Sequence, residues 1–178
     1  MQEWRYTREI AIAVVGRLRG QGYDAERIVP EDADISLGQR CARVNSYCDQ
    51  MGYNKVLFVS IHCNAAGADG QWKAARGWEA WTSPGQTRGD VLAEYLYDAA
   101  KKYLPAGTPV RTDKSDGDRD KEAKFTVLTH TKCAAVLTEN LFQDNKADVD
   151  YLLSPAGREA IINLHVEGIK NYINAMRK

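Results

Sequence analysis

Three polar side chains stand at the ends of predicted elements, where binding and catalytic groups commonly lie. His62 comes directly after an apolar run at 56–61, and Glu139 comes directly after a second apolar run at 134–138. Glu3 stands at the start of the first helical pattern, where a preceding strand would end. Ligands of open α/β sheets bind at the carboxyl edge of the strands, so we expect these three side chains to lie close together.

The residue types suit a catalytic zinc site. Zinc takes His and carboxylate ligands and keeps one position for a water, whose pKa it lowers towards neutrality. A carboxylate that does not bind the metal then takes the proton of that water. We therefore predict that Glu3 and His62 are zinc ligands and that Glu139 is the base.

Structural roles compete with this interpretation. A histidine at a strand end is more often a hydrogen-bonded structural residue, and a glutamate in a first helical turn is more often a partner of the helix dipole. Glu139 differs because it follows five apolar residues, where a buried carboxylate without a partner is costly. For Glu139 alone, a functional role is favoured on the residues themselves.

Two further residues are candidates for substrate contact. Trp72 lies in the small-residue loop after His62, and His130 lies between two short apolar runs late in the chain. A polar turn is the simpler role for His130. His165 lies on the apolar stripe of the last helix, which indicates a core histidine.

Periodicity and capping signals define the elements that position these residues. Apolar residues at helical spacing predict helices at 3–20, 36–52, 87–103 and from 154 onwards, the second with a Ser36–Gln39 capping box. Short runs rich in strand formers predict strands at 23–29, 56–61, 77–82, 125–129 and 134–138. A polar stretch at 105–124 predicts a long loop. This alternation predicts one domain over 1–178, a three-layer α/β/α fold with a mostly parallel, mixed sheet of about five to six strands.

Composition excludes several classes of protein. The chain has 24 basic and 24 acidic residues, so its neutral balance favours neither nucleic acid nor an anionic membrane as a partner. No segment is long and apolar enough to span a bilayer, and the first residues do not resemble a secretory signal. The four cysteines form no C-x-x-C pair, which indicates free, mostly buried thiols.

Several segments in register resemble the N-acetylmuramoyl-L-alanine amidase 3 family. The stretches that carry the resemblance are VLFVSIHCNAA at 56–66, VLTENLFQDN at 136–145, the helix beginning EWRYTREI at Glu3, and DADISLGQRCARVN at 33–46. The resemblance implies a zinc-dependent hydrolase fold and cleavage of the amide between the lactyl group of N-acetylmuramic acid and L-alanine in peptidoglycan. It implies action at the bacterial cell wall, in the periplasm or outside the cell.

Residue by residue, the resemblance implies zinc binding by Glu3 and His62 and catalysis by Glu139. Asn64, Phe142 and Asn145 match motif positions that shape the site, and we count Asn64 with Trp72 and His130 as candidate substrate contacts. The oligomeric state is open.

One family feature is missing. The family's first zinc ligand is a histidine in a glycine-rich turn after the first strand, whereas no histidine precedes His62. The ligand set is therefore expected to be incomplete and the first strand to be missing, which leaves open whether this amidase-like chain is active as written; His130 is a candidate replacement ligand. A non-catalytic peptidoglycan-binding or regulatory domain of the same fold is the alternative. A nucleotide-binding domain is disfavoured because no G-x-G-x-x-G or G-K-[ST] loop is present.

Overall fold

The computed structural model describes residues 1–177 and shows helices on both faces of one mixed sheet. In chain order the elements are α1 (Glu3–Gly20), α2 (Leu37–Met51), β1 (Leu57–Asn64), β2 (Trp78–Thr82), α3 (Arg88–Tyr103), β3 (Lys121–Glu122), α4 (Thr126–Thr129), β4 (Ala134–Phe142), α5 (Lys146–Leu153) and α6 (Pro155–Met176).

The sheet has four strands in the order β1-β4-β2-β3. β1 runs parallel to β4 and β3 runs parallel to β2, while β2 and β4 are antiparallel. The predicted three-layer α/β class is confirmed, and the described sheet is smaller than the five to six strands expected. β1 lies at one edge, and its apolar residues are only partly buried.

The alternation of side chains along β4 separates two cores. Ala134 and Val136 face a large core that α1, α3 and α6 build on one side of the sheet. Ala135 and Leu137 face a smaller core that includes residues of α2 and α4 on the other side. Glu139 continues the second series, so its side chain belongs to the face that α2 covers.

The helix ends follow their capping signals. Ser36 and Gln39 form the predicted capping box of α2, and Thr87 with Asp90 forms a second one at α3. The Ser154 hydroxyl accepts a hydrogen bond from the backbone N–H of Gly157 at the start of α6. These caps satisfy amide groups that a first helical turn otherwise leaves unpaired.

Two predicted strands are wrong. Residues 23–29 form no strand; two of their carbonyl oxygens accept hydrogen bonds from arginine side chains instead, Ala25 O from Arg19 at 2.6 Å and Ile28 O from Arg43 at 2.7 Å. The run at 125–129 forms the short helix α4, which buries Val127 and Leu128 in the smaller core.

The structure also describes the cysteines and the apolar length of the helices. All four cysteines are free; Cys133 is partly exposed and the other three are buried. No helix within residues 1–177 is long and apolar enough to cross a membrane.

Candidate active site

Three ionisable side chains occupy neighbouring positions on three adjacent strands. His62 of β1 is paired with Glu139 of β4, and Glu139 is paired with Glu79 of β2. Directly paired residues point to the same side of a sheet. We call this side, which also carries the smaller core, the site face.

The first turn of α1 brings Glu3 to the same place. Glu3 Oε1 lies 3.1 Å from His62 Nδ1 and accepts a hydrogen bond from the backbone N–H of Cys63 at 3.0 Å. Gln143 Nε2 donates a hydrogen bond to the other carboxylate oxygen, Glu3 Oε2, at 3.2 Å. The structure thus brings Glu3, His62 and Glu139 together at the carboxyl end of β1, where the sequence predicts them.

The contact between Glu3 and His62 shifts the pKa of both groups. Burial raises the pKa of Glu3, but hydrogen bonds from His62 and the Cys63 amide outweigh it, so the pKa is lowered. Burial lowers the pKa of His62, but the hydrogen bond to Glu3 and the negative charges of Glu139 and Glu3 outweigh it, so the pKa is raised. Both shifts favour the charged form of the group relative to the free side chain when no metal is bound.

Glu139 has the opposite environment. Its Oε2 atom is buried and has no hydrogen-bond partner. Burial, together with the charges of Glu3 and Glu79, outweighs the attraction of His62 and raises the pKa of Glu139 to about 7. A carboxyl group with such a pKa can both accept and donate a proton near neutral pH.

A bulge in β4 lies immediately after Glu139. The pairing with β1 shifts between His62 and Asn64, and Leu141 adopts a left-handed backbone conformation with φ of 64°. Asn140 stabilises the bulge, since its Nδ2 donates to His62 O and its Oδ1 accepts from Trp78 Nε1, both at 2.9 Å. Bulges of this kind often re-aim side chains beside functional sites.

The buried carboxylate of Glu79 was not predicted from the sequence. Its side chain is 2% exposed, and it accepts hydrogen bonds from Arg111 Nε at 2.6 Å and Lys121 Nζ at 2.7 Å. Asn64 Nδ2 and Trp81 Nε1 donate to its other oxygen. The available signal was a glutamate inside the strand sequence WEAWT, because a charge buried there must have partners.

The motif residues predicted to shape the site lie around it. Asn64 holds Glu79, as described, and Phe142 is buried beneath the guanidinium of Arg111, with 5.2 Å from the guanidinium carbon to the ring centroid. Asn145 caps α5 by accepting from the Asp148 amide, and its Nδ2 donates to Lys73 O.

Trp72 and His130 have different positions relative to this cluster. Trp72 is 61% exposed in the loop after β1, and that loop is fastened to the end of β4 through hydrogen bonds to Asp144. His130 precedes β4 and lies beside Asn45 of α2. Glu139 is five residues into β4, roughly 16 Å further at about 3.3 Å per residue. The structure does not bring His130 to the cluster, so it does not replace the missing ligand there; its contact with substrate stays a prediction.

Glu3 and His62 are the donors available for a metal beside Glu139. Within residues 1–177, no group of three or more His, Cys, Asp or Glu side chains is arranged to hold a metal ion. A carboxylate and an imidazole nevertheless fit the donor chemistry of zinc. The partnerless Oε2 atom of Glu139 is the kind of polar atom that a bound water or substrate would satisfy.

Comparison with known proteins identifies the family. A family model described as N-acetylmuramoyl-L-alanine amidase matches residues 1–171. The chain belongs to this amidase family. Members of the family are generally zinc-dependent.

Curated relatives include a phage enzyme and a bacterial one. The endolysin of Bacillus phage SPP1 is 35% identical over 129 residues, which are 68% of this chain and 42% of the phage protein. The N-acetylmuramoyl-L-alanine amidase CwlM of Bacillus licheniformis is 28% identical over 181 residues, which are 98% of this chain and 61% of that protein. The amidase-family chain therefore spans about half the length of these relatives.

Solved structures share the fold. An N-acetylmuramoyl-L-alanine amidase from Clostridium difficile matches with a TM-score of 0.80 and 21% identity, over 97% of this chain and 84% of the other. The catalytic domain of the CD27L endolysin, described as targeting Clostridia difficile, matches with a TM-score of 0.67 and 26% identity, over 95% and 83% of the two chains.

Proposed function

We propose that this chain hydrolyses the amide bond between the lactyl group of N-acetylmuramic acid and L-alanine in peptidoglycan. The observation that carries the proposal is the partnerless carboxyl oxygen of Glu139 beside the Glu3–His62 pair. Membership of the amidase family and similarity to a phage endolysin support the same substrate. The site of action is then the cell wall, in the periplasm or outside the cell.

Glu3 and His62 are the residues that would hold zinc. Zinc, when bound, polarises the scissile carbonyl and makes water a stronger nucleophile. Glu3 is already oriented for this role by the Cys63 amide, which fixes one carboxylate oxygen, and by Gln143, which donates to the other. Such outer contacts hold a ligand in place and limit its freedom.

Glu139 moves the proton. Its Oε2 accepts a proton from the attacking water and then donates it to the nitrogen of the departing L-alanine. General acid–base transfer of this type contributes typically about 10²–10⁴-fold to rate. Because burial raises the pKa of Glu139 to about 7, both protonation states are accessible near neutral pH.

The test is release of peptide from purified peptidoglycan, followed as new L-alanine amino termini. We expect release that depends on added zinc, is abolished by a chelator and falls by roughly 10²-fold or more in Glu139→Gln. Glu122→Gln is a matched control, because Glu122 is an exposed glutamate on β3. Undiminished release by Glu139→Gln would contradict the role assigned to Glu139.

A second candidate is a peptidoglycan-binding or regulatory domain of the same fold. It is favoured by the observation that the described residues provide only Glu3 and His62 as neighbouring metal donors. Metal analysis and a sedimentation assay separate the two functions. Stoichiometric zinc with peptide release supports the enzyme, whereas retention on peptidoglycan without zinc or release supports the binding domain.

A further inference from the structure

A pair of carboxyl groups, one of them buried, lies away from the candidate active site, in the segment between α3 and β3. Asp120 is 2% exposed, and its Oδ2 accepts a hydrogen bond from Thr82 Oγ1 at 2.5 Å. Asp118 lies two residues earlier and is only partly buried, and the two carboxyl groups are close enough to shift each other's pKa.

Each carboxyl group has one oxygen that nothing in the described chain satisfies. The Oδ1 atoms of Asp118 and Asp120 are both buried, and neither has a hydrogen-bond partner. Burial and the neighbouring charge of Asp118 outweigh the Thr82 hydrogen bond and raise the pKa of Asp120 to about 7. Two adjoining carboxylates in a partly buried site repel each other unless a proton or a cation lies between them.

Basic side chains nearby are engaged elsewhere. The guanidinium of Arg119 bonds to Glu94 and Asp98, and the amine of Lys121 bonds to Glu79. Within residues 1–177, no ion pair includes Asp118 or Asp120.

Further acidic groups surround the pair. The charges of Asp116 and Asp90 also act on the pair and add to the negative potential, whereas that of Glu94 is offset by Arg119. A cavity of about 410 Å³ opens beside Asp118 and is lined partly by acidic side chains. Buried oxygens without partners, a negative surround and open space together point to a positively charged ligand.

We propose that Asp118 and Asp120 bind a divalent cation, and that Ca²⁺ is the ion that fits. The donors are all oxygen atoms, which Ca²⁺ prefers, whereas structural zinc is held mainly by sulfur and nitrogen. Because only two acidic side chains converge, backbone carbonyl and water oxygens complete the shell, as Ca²⁺ readily accepts. This site is distinct from the Glu3–His62 pair and does not depend on the amidase activity.

The bound cation holds in place the segment at 118–121, and Lys121 of this segment is a positively charged neighbour of the active site. Asp120 is tied to the end of β2 through Thr82, and the next residue, Lys121, donates to Glu79 on the site face. Glu79 is paired with Glu139 across the sheet. Binding at the pair therefore holds Lys121 against Glu79.

The experiment uses the whole chain, freed of metal with a chelator and dialysed, then titrated with CaCl₂ by calorimetry and by thermal unfolding at pH 7.5. We expect one Ca²⁺ per chain and a rise in Tm, with a weaker response to MgCl₂. Asp120→Asn and Asp118→Asn keep the side-chain shapes and should each weaken Ca²⁺ binding by roughly tenfold or more, because ligand charge tunes Ca²⁺ affinity over decades.

Two controls separate the sites. Asp116→Asn, at an exposed position of the same loop, should retain Ca²⁺ binding. His62→Ala should retain it too, since that change affects the zinc donors only. If Asp120→Asn does not fold, Asp118→Asn decides. The proposal is overturned if millimolar Ca²⁺ produces neither heat nor a Tm shift, or if both Asp variants bind Ca²⁺ as tightly as the unchanged chain; a proton then joins the pair.

Discussion

Replacing the carboxyl group of Glu139 by an amide should remove activity and also stabilise the metal-free protein at neutral and alkaline pH. Glu139→Gln keeps the shape of the side chain, but it cannot ionise. In the unchanged protein, ionisation of this carboxyl group is opposed by burial and by Glu3 and Glu79. The variant therefore avoids an electrostatic cost that the functional residue must bear.

The magnitude follows from the pKa. Burial moves the pKa of Glu139 from 4.5 to about 7, and each pH unit corresponds to about 1.4 kcal/mol. The upper limit is therefore about 3 kcal/mol, and because the side chain is partly exposed, solvent screening reduces it to roughly 1–3 kcal/mol.

The sign of the pH dependence is fixed by the same pKa. The folded protein binds a proton at Glu139 more tightly than the unfolded chain does. The carboxyl group's favourable contribution to folding is thus fully present below about pH 4.5 and is lost as the pH rises through about 7. Glu139→Gln does not titrate, so its advantage should be absent at pH 4.5 and complete above pH 7.

Urea unfolding in the presence of a chelator, from pH 4.5 to pH 8, measures this difference directly. Glu122→Gln serves as the control, and an exposed substitution of this kind should change the free energy of unfolding by no more than about 0.5 kcal/mol. A stability difference that does not vary with pH, or a Glu139→Gln variant that is less stable at pH 8, would refute the reasoning.

Three other positions give separate tests. His165 is fully buried, and burial lowers its pKa to about 4. The free energy of unfolding should therefore fall by up to about 3 kcal/mol as the pH falls from 6.5 towards 4. Unfolding curves of His165→Gln should lack this fall. Gly157→Ala would place a methyl group 1.8 Å from a backbone oxygen and should cost about 2 kcal/mol or more, whereas Gly38→Ala meets nothing within 4 Å and should be neutral or stabilising in thermal unfolding. Trp72→Ala should raise KM for peptidoglycan without changing Tm, whereas Trp4→Ala, at a similarly exposed residue, should leave KM unchanged.

The sequence was sufficient where a pattern is long or chemically specific. The four long helices carry an apolar stripe over at least four turns or a polar residue at the N-cap, and all four were predicted. The clustering of His62 with Glu139 followed from one rule, that parallel strands end at a shared edge.

Short apolar runs were ambiguous because propensity alone does not separate a strand from one helical turn. The run at 125–129 forms α4 because Val127 and Leu128 bury together against Cys41 of α2, a contact between residues more than 80 positions apart. In the segment at 23–29, the carbonyl oxygens of Ala25 and Ile28 accept from the side chains of Arg19 and Arg43 rather than from a neighbouring strand. Neither the contact with α2 nor the arginine donors can be identified from the local sequence of these two segments.

The active-site electrostatics depend on the different hydrogen-bond partners of two paired glutamates. Glu79 and Glu139 are directly opposite each other, yet Glu79 receives two cationic donors, Arg111 and Lys121, while Oε2 of Glu139 receives no donor. Both cations come from the long segment between α3 and α4, which the sequence showed only as a polar loop. Neutralising one carboxylate and leaving its neighbour uncompensated is a recurrent way to assign different roles to a carboxylate pair. The segment between α3 and α4, which includes β3, therefore decides which of the two glutamates is free to transfer a proton.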